Sequence, residues 1–424
     1  MIPGLANIIR IPDLRRKFLF TVGMLALFRL GSHIPVPGVD VVRLQQLFQQ
    51  GGAGTVFGFI DLFVGGAFSR FALFALGVFP YITASIIFSL LEVVFPHLKE
   101  IHREEGEAGR RKIGQWTLYL AVLLAIVQGS GQMLLIRNLG AIAIPRPLIL
   151  GEIVATLVAG TMLLTWMGSI MTEYGIGNGV SLIIFAGIVA RLPNQLSQTI
   201  GLVRVGEASM LRALADILVI LASIVAVVVV TQAARKIPIQ YAKRIVGRRM
   251  VGGQTTYLPV RIASAGVIPI IFAISVMQFP STIAQFSRLA WLQRVGNILS
   301  LNSTTGALLY FVLIIAFTYF YTAVSFDPED VSDNIKKYGG FIPGIRPGRP
   351  TTDYLIRILE KLTFVGALFL GLIAVGPIFL ARFTGQLTLY LTGTSLLIVV
   401  GVALETMKQI EAYVLMRHYE GFMR

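Results

Sequence analysis

The stretch Gly77-Val78-Phe79-Pro80-Tyr81-Ile82, GVFPYI, stands near the start of a long apolar segment. Almost the same string, GVIPII, returns at Gly266 to Ile271, again near the start of an apolar segment. Whether two distant hydrophobic segments open on one Gly-Val-x-Pro-x-Ile by repetition or by chance decides how the chain is organised. Gly and Pro are common near the ends of membrane helices, so chance is a real alternative. The reading therefore begins with the medium in which these segments fold.

Of 424 residues, 55% are hydrophobic and only 13% are charged, with a mean hydropathy of +0.77. A soluble chain of this length needs far more charge to cover its surface, so a polytopic membrane protein is expected. There is no cysteine, which excludes disulfides and thiolate metal sites. The histidines His33, His97, His102 and His418 are scattered, which argues against zinc and against Ser/His or Cys/His catalysis. His97 and His102 share a loop with Lys and Glu and read as a solvated face. Arg10, Arg15, Arg16 and Lys17 precede the apolar run from Phe18, which meets HIPVPG and not a small-residue cleavage site. That pattern is an uncleaved first span with its N-terminus in the cytoplasm.

A spanning helix needs about 20 mainly apolar residues. Ten spans are expected on that rule, beginning near Phe18, Phe71, Gln115, Ile149, Ser181, Ala213, Ala265, Gly306, Leu362 and Tyr390. The fifth is short and ends at ARLPNQ. The net charge of +15 tests the layout. About 25 Lys and Arg fall on the proposed cytoplasmic side and about nine outside, as the positive-inside rule requires. Both termini are then cytoplasmic. GVFPYI opens the second span and GVIPII the seventh, the second members of two five-span halves, 1–200 and 201–424. An odd number of spans per half gives the halves opposite orientation. The fold class expected is an all-α polytopic membrane protein of ten transmembrane helices in two inverted five-helix halves.

Three segments stand apart. The apolar run Val56 to Val64 is too short to cross a bilayer. It is either a re-entrant element in an aqueous path or an amphipathic helix on the outer leaflet, followed by a Gly65-Gly66 hinge. The loop 233–262 carries seven basic residues and no acid. Gly252 and Gly253 between two β-rich runs point to a hairpin that meets anionic lipid, an acidic protein surface or RNA phosphates, or merely orients the chain. The loop 327–361 holds YGGFIPGIRPGRPTTDY, where Gly344 and Pro347 flank Ile345 and Arg346, and proline stiffening displays Arg346; a simple turn is the alternative.

The span middles are almost purely aliphatic, and Glu92, Glu152, Asp216 and Glu405 fall near span ends. Arg29 is the exception, read as snorkelling to the outer face, with a pore role as the alternative. YGIGNGVS, Tyr174 to Ser181, reads as a turn with an Asn178 or Ser181 cap and not a nucleotide site. No nucleophile with base, paired carboxylates or phosphate-cradling loop appears, so no enzyme and no cofactor or metal is expected.

Eight ordered motifs, FRLGSHIPVPGVD, FALGVFPYITASII, EGEAGRRKI, TEYGIGNGVSLIIFAGIVA, YAKRIVGRRMVGGQTTYLPV, AGVIPIIFA, YGGFIPGIRPGRPT and TSLLIVVGVALE, span nearly the whole chain. Together they resemble the SecY family of protein-translocon channel subunits. The resemblance implies inverted halves around a central hourglass pore, with the second and seventh spans facing each other at a lateral gate. It places the pore ring at Val78, Ile82, Ile86, Ile184, Ile271 and Ile398. It places a plug over 55–66, with Val56, Phe57, Phe59, Ile60, Leu62 and Phe63. Polar gate positions are Thr83, Ser89, Gln128 and Ser264, where the family often has Gln in span two and Asn before the Ala-Gly of span seven. Contacts to a motor or ribosome fall on Lys243, Arg244, Arg248, Arg249, Arg346, Arg349 and Arg357.

The implied activity is a protein-conducting channel of the bacterial inner membrane that translocates unfolded secretory polypeptides and releases membrane segments laterally. Implied partners are SecE, SecG, the SecA motor, the ribosome, signal peptides and nascent chains, SecDF, YidC and the lipid bilayer. A secondary transporter with inverted repeats would need midplane ion ligands, and an intramembrane enzyme a polar catalytic pair; neither is evident.

Overall fold

A computed structural model describes residues 11–47, 61–95, 97–98, 101, 106–142, 146–206, 209–241, 244–246, 249–251, 255–263, 266–286, 290–301, 303–384 and 393–422. Each of the ten expected spans coincides with a described helix. In chain order the helices are α1 (Pro12–Gly31), the short α2 (Val41–Leu47), α3 (Phe79–Val94), α4 (Gly106–Asn138), α5 (Pro147–Tyr174), α6 (Gly179–Val205) and α7 (Met210–Gln232). Then follow α8 (Ile268–Phe286), α9 (Ala290–Leu299), α10 (Thr304–Ser325), α11 (Pro328–Lys337), α12 (Arg349–Thr384) and α13 (Gly393–Phe422). Six of them, α4, α5, α6, α10, α12 and α13, contain stretches long and apolar enough to cross a membrane, and α3, α7 and α8 contain shorter apolar stretches.

The helix starts follow local chemistry. Proline stands in the first two positions of α1, α3, α5 and α11, where its missing N–H costs nothing and its φ is already helical. Ser303 Oγ accepts from the Gly306 N–H at the start of α10 (2.8 Å), and Asn178 Oδ1 accepts from the Ser181 N–H at the start of α6 (3.1 Å). Each satisfies a donor that the first helical turn leaves unpaired.

Four expectations change. The second span was placed from Phe71, yet its helix begins at Phe79, and residues 64–78 form buried turns apart from one bridge between Pro35 and Ala72. The fifth span is not short: α6 runs through Pro193 to Val205, so a division of the chain at residue 200 would fall inside a helix. Part of the loop 327–361 is helical, since α11 lies within it and α12 begins at Arg349. The basic loop folds as β1 (Ala234–Tyr241) paired antiparallel with β4 (Thr255–Arg261), and β2 (Arg244–Val246) paired with β3 (Arg249–Val251). The register leaves only residues 247 and 248 between Val246 and Arg249, so the tight pairing is there; Gly252 and Gly253 lie outside the described residues.

The early start of α12 has a packing cause. Leu355 and Ile358 on its first turns are buried with Ile237, Val260 and Ile342, and β5 (Gly340–Phe341) adds to the other edge of β1. The periodicity that placed α12 from Leu362 counted only the membrane-apolar part. The amphipathic turns before it bury their apolar side on a small three-stranded sheet.

Within the main core, glycines set how closely helices and turns approach. A Cβ on Gly160 of α5 would lie 2.0 Å from the Leu73 carbonyl oxygen, whereas one on Gly151 of the same helix meets nothing within 4 Å. Gly160→Ala is therefore expected to destabilise the folded chain by about 1–3 kcal/mol through overpacking. Gly151→Ala is expected to be neutral or to gain up to about 1 kcal/mol of helix propensity. Thermal unfolding of the two detergent-purified variants checks this, and equal midpoints would remove the close-packing account.

Candidate functional site

The two repeated strings fold alike. Gly77 and Gly266 both have φ of 60°, a left-handed conformation that glycine adopts without steric cost. The Gly77 N–H donates to the Phe74 carbonyl at 2.9 Å and the Gly266 N–H to the Ala263 carbonyl at 3.1 Å. In each case the helix begins two residues later, at Phe79 and at Ile268, with Pro80 and Pro269 next. The carbonyls of Val78 and Val267 accept from the N–H groups of Ile82 (3.0 Å) and Ile271 (3.3 Å). One local device, a left-handed glycine turn running into a proline-started helix, is thus used twice, and chance composition does not account for it. The two helices it starts, α3 and α8, pack against each other, and α4 also packs on α8.

The residues expected to form a pore ring are buried in the main apolar core. Val78, Ile82 and Ile86 from the start of α3, Ile184 from α6, Ile271 from α8 and Ile398 from α13 are all buried within one apolar cluster. Four separate helices contribute to it. Leu62 and Phe63 belong to the same cluster, and the Phe63 and Phe79 rings meet edge-to-face with centroids 5.8 Å apart. Val56, Phe57, Phe59 and Ile60 lie outside the described residues.

Gly65 and Gly66 have φ of 68° and 89°, so the chain does turn there, but it is packed and not loosely hinged. A Cβ on Gly187 of α6 would lie 2.3 Å from the Phe63 carbonyl oxygen, and one on Gly65 would lie 3.0 Å from Gly187 Cα. Main chain thus touches main chain, an approach that only paired glycines allow.

Polar groups tie the same turn down. Asp61, 1% exposed, forms an ion pair through Oδ2 with Arg191 Nη2 on α6. Its Oδ1 accepts the Ser69 N–H at 2.8 Å, and its main-chain carbonyl accepts the Gly66 N–H at 2.9 Å. Arg29 Nη1 on α1 donates to the Gly65 carbonyl at 2.6 Å. The snorkelling expected of Arg29 is thus corrected: its guanidinium turns to a carbonyl of the 61–70 turn. Asp61 and Arg191 are the functional candidates that sequence reasoning passed over. The available signal was a lone acid inside the apolar run GFIDLFVGG and a lone arginine within a span.

At the seam of α3, α4 and α8, the Thr83 hydroxyl donates to the Phe79 carbonyl (2.9 Å) and Ser275 to the Ile271 carbonyl (2.8 Å). Both bonds stay within their own helices, one turn back. Ser89 and Gln128 are half-buried, and Ser264 lies outside the described residues. Arg346, Arg349 and Arg357 are exposed. The loop beneath Arg346 is fixed: Ile345 N–H donates to the Ile342 carbonyl (3.0 Å), and Thr351 Oγ1 donates to the Arg346 carbonyl itself (2.9 Å). Arg244 and Arg249 lie in β2 and β3; Lys243 and Arg248 lie outside the described residues.

A protein-family model described as SecY matches residues 72–407. The protein translocase subunit SecY of Thermus thermophilus is 45% identical over 432 residues, covering 100% of this chain and 98% of that one. Among solved structures, one described as the structure of a protein conducting channel superposes with a TM-score of 0.66 at 21% identity, covering 94% of this chain and 92% of its own. Sec61 in the canine ribosome-channel complex from the endoplasmic reticulum gives a TM-score of 0.62 at 19% identity, over 94% and 92% of the two chains. At these identities the two structures attest the fold.

The packing of the 61–70 turn is directly testable, because the chain has no cysteine of its own. A Phe63→Cys, Phe79→Cys pair is expected to cross-link with a short bifunctional reagent, given the ring contact. Phe63→Cys paired with Val312→Cys, on an exposed face of α10, is expected not to. Equal yields from both pairs would mean that the turn does not rest on the start of α3.

Proposed function

The chain belongs to the SecY family, and on that premise we propose that it is the channel-forming subunit of a protein translocase in the bacterial inner membrane, both termini cytoplasmic. It passes unfolded secretory polypeptides outward and releases apolar segments sideways into lipid. It is a conduit and not an enzyme, so the driving work comes from a partner. SecE and SecG are its membrane partners in this reading, and SecA or the ribosome docks on its cytoplasmic face; the Sec61 relative's own description as part of a ribosome-channel complex supports the ribosome. SecDF and YidC act on the same substrates from the membrane side.

One observation carries the reading. Six aliphatic side chains from four helices are all buried in the main apolar core, which also holds Leu62 and Phe63. An apolar constriction excludes ions by dewetting, yet it yields around an extended peptide because nothing in it is hydrogen-bonded to its neighbours. Val78, Ile82, Ile86, Ile184, Ile271 and Ile398 are the seal, and the segment over 55–66 is the plug that backs it. The two halves meet at the seam of α3 and α4 with α8. With Thr83 and Ser275 bonded to their own helices, apolar packing and not a cross-seam hydrogen bond through these hydroxyls holds that gate. An apolar signal helix can replace such packing with its own.

The cytoplasmic arginines do a different job. Arg346 sits on a loop pinned by its own carbonyl and by Ile345, so little entropy is lost when a partner engages it. Lys243, Arg244, Arg248 and Arg249, close together in sequence, suit rRNA phosphates; Arg349 and Arg357 extend the basic surface.

Replacing Ile82, Ile184, Ile271 and Ile398 together by Ser is expected to make the resting channel conduct ions in planar bilayers. Unchanged impermeability would overturn the ring assignment. Arg346→Lys is expected to insert normally but to lose motor-driven translocation in vitro, since an ammonium cannot copy the planar fork of a guanidinium. Full translocation by Arg346→Lys and Arg346→Glu alike would mean that the loop is only a turn.

A further inference from the structure

Ionisable side chains at membrane depth are costly and persist where they act. The 61–70 turn gathers several. Asp61 is almost wholly buried, whereas the side chain of its partner Arg191 is 28% exposed. Arg29 reaches the same turn from α1, and its charge is within electrostatic reach of both Arg70 and Arg191. Three guanidinium groups therefore surround the turn, and the carboxylate bonded there is that of Asp61.

The position of Arg191 on its helix matters as much as its charge. Ile184 and Ile188, both buried in the apolar cluster, and Arg191 stand at spacings of four and three residues along α6. Such spacings place side chains on one face of a helix. Ile184 and Arg191 are two turns apart, roughly 10 Å along the axis. Between them Gly187 receives the main chain of Phe63 and Gly65. One face of α6 thus presents the seal residue, the seat for the turn and the charge that holds the turn in it.

Resting on the channel reading above, we propose that Asp61, Arg191 and Arg29 are positioning residues that latch the plug segment shut and so set how readily the channel opens. The Asp61–Arg191 pair spans two elements that must separate when a polypeptide passes. Asp61 also fixes the turn internally through the Ser69 and Gly66 N–H groups, so the turn moves as a unit. Opening exchanges the ion pair for water in the outer part of the channel, and closing re-forms it. Without the carboxylate, three arginines repel one another across the seat, and the open arrangement gains relative to the closed one.

The test uses the full chain in its purified membrane complex in planar bilayers, with Phe63–Phe79 cysteine cross-linking as a second readout. Loss of one partner from a partly buried ion pair is expected to raise the resting open probability of Asp61→Asn and Arg191→Gln by about tenfold or more. Cross-linking should fall in parallel. The exchange Asp61→Arg with Arg191→Asp should recover the part of the seal that rests on the ion pair and not the part that rests on the Ser69 N–H, which an arginine cannot accept. If Asp61→Asn cannot be purified folded, Arg29→Gln carries the test, with the same direction and a smaller rise. Normal sealing and normal cross-linking in the folded variants would overturn the latch. The four-serine ring variant separates the two readings: if it conducts while the latch variants stay sealed, only the latch is wrong; if it too stays sealed, the channel reading falls first.

Discussion

In an apolar solvent every backbone N–H and carbonyl must find its partner within the protein, and this constraint shapes the centre of the molecule. Residues 61–78 are mostly turns, and many of them are buried. Many of their polar backbone groups are paired within the protein. The Phe71 carbonyl accepts from Val36 and the Ile34 carbonyl from the Leu73 N–H, while Ala72, Ala75 and Gly77 donate to carbonyls three to five residues back. The Gly65 carbonyl takes the Arg29 guanidinium. Such pairing lets non-helical chain lie buried within the protein.

That turn region supplies what continuous helices cannot. It makes α3 start at Phe79 instead of Phe71, so Val78 and Ile82 enter the apolar core at a helix start. It also brings a main-chain surface, at Phe63 to Gly66, against the glycine seat of α6. Phe71 itself has φ of 45°, an uncommon conformation for an aromatic residue. Its side chain is fully buried, and the surrounding packing holds it there. At the opposite end, Gly401 of α13 approaches Val267, whose Cγ2 would lie 2.1 Å from an added Cβ. The start of α8 is thus held as closely by a neighbouring glycine as the 61–70 turn is held by α6.

In the channel proposed above, a seal without hydrogen bonds and a plug with several divide the work of closure. The aliphatic cluster gives a barrier that conforms to any peptide, because dispersion and apolar burial are not directional. The Asp61 network is directional and has one closed geometry. Nonspecific passage and a defined resting state ask for opposite kinds of interaction, and the molecule places the two kinds two helical turns apart on α6.

Much of this was legible in the order of residues. Apolar run length placed every span within a few residues of a helix, apart from the second, third and ninth, because length and hydropathy are local quantities that the bilayer reads directly. Proline and Asn178 marked helix starts for the same local reason. The repeated Gly-Val-x-Pro-x-Ile announced one backbone device used twice. Ring residues such as Ile184 and Ile398 look like any other aliphatic side chain of their spans and came only through family resemblance. What tertiary structure alone decided is who meets whom. Asp61 and Arg191 are 130 positions apart, and Gly187 is a seat only because Phe63 arrives there. The direction of Arg29 depended on a carbonyl that a left-handed turn on another element leaves free. Such meetings depend on where separate elements pack, and neither periodicity nor propensity within one element carries that information.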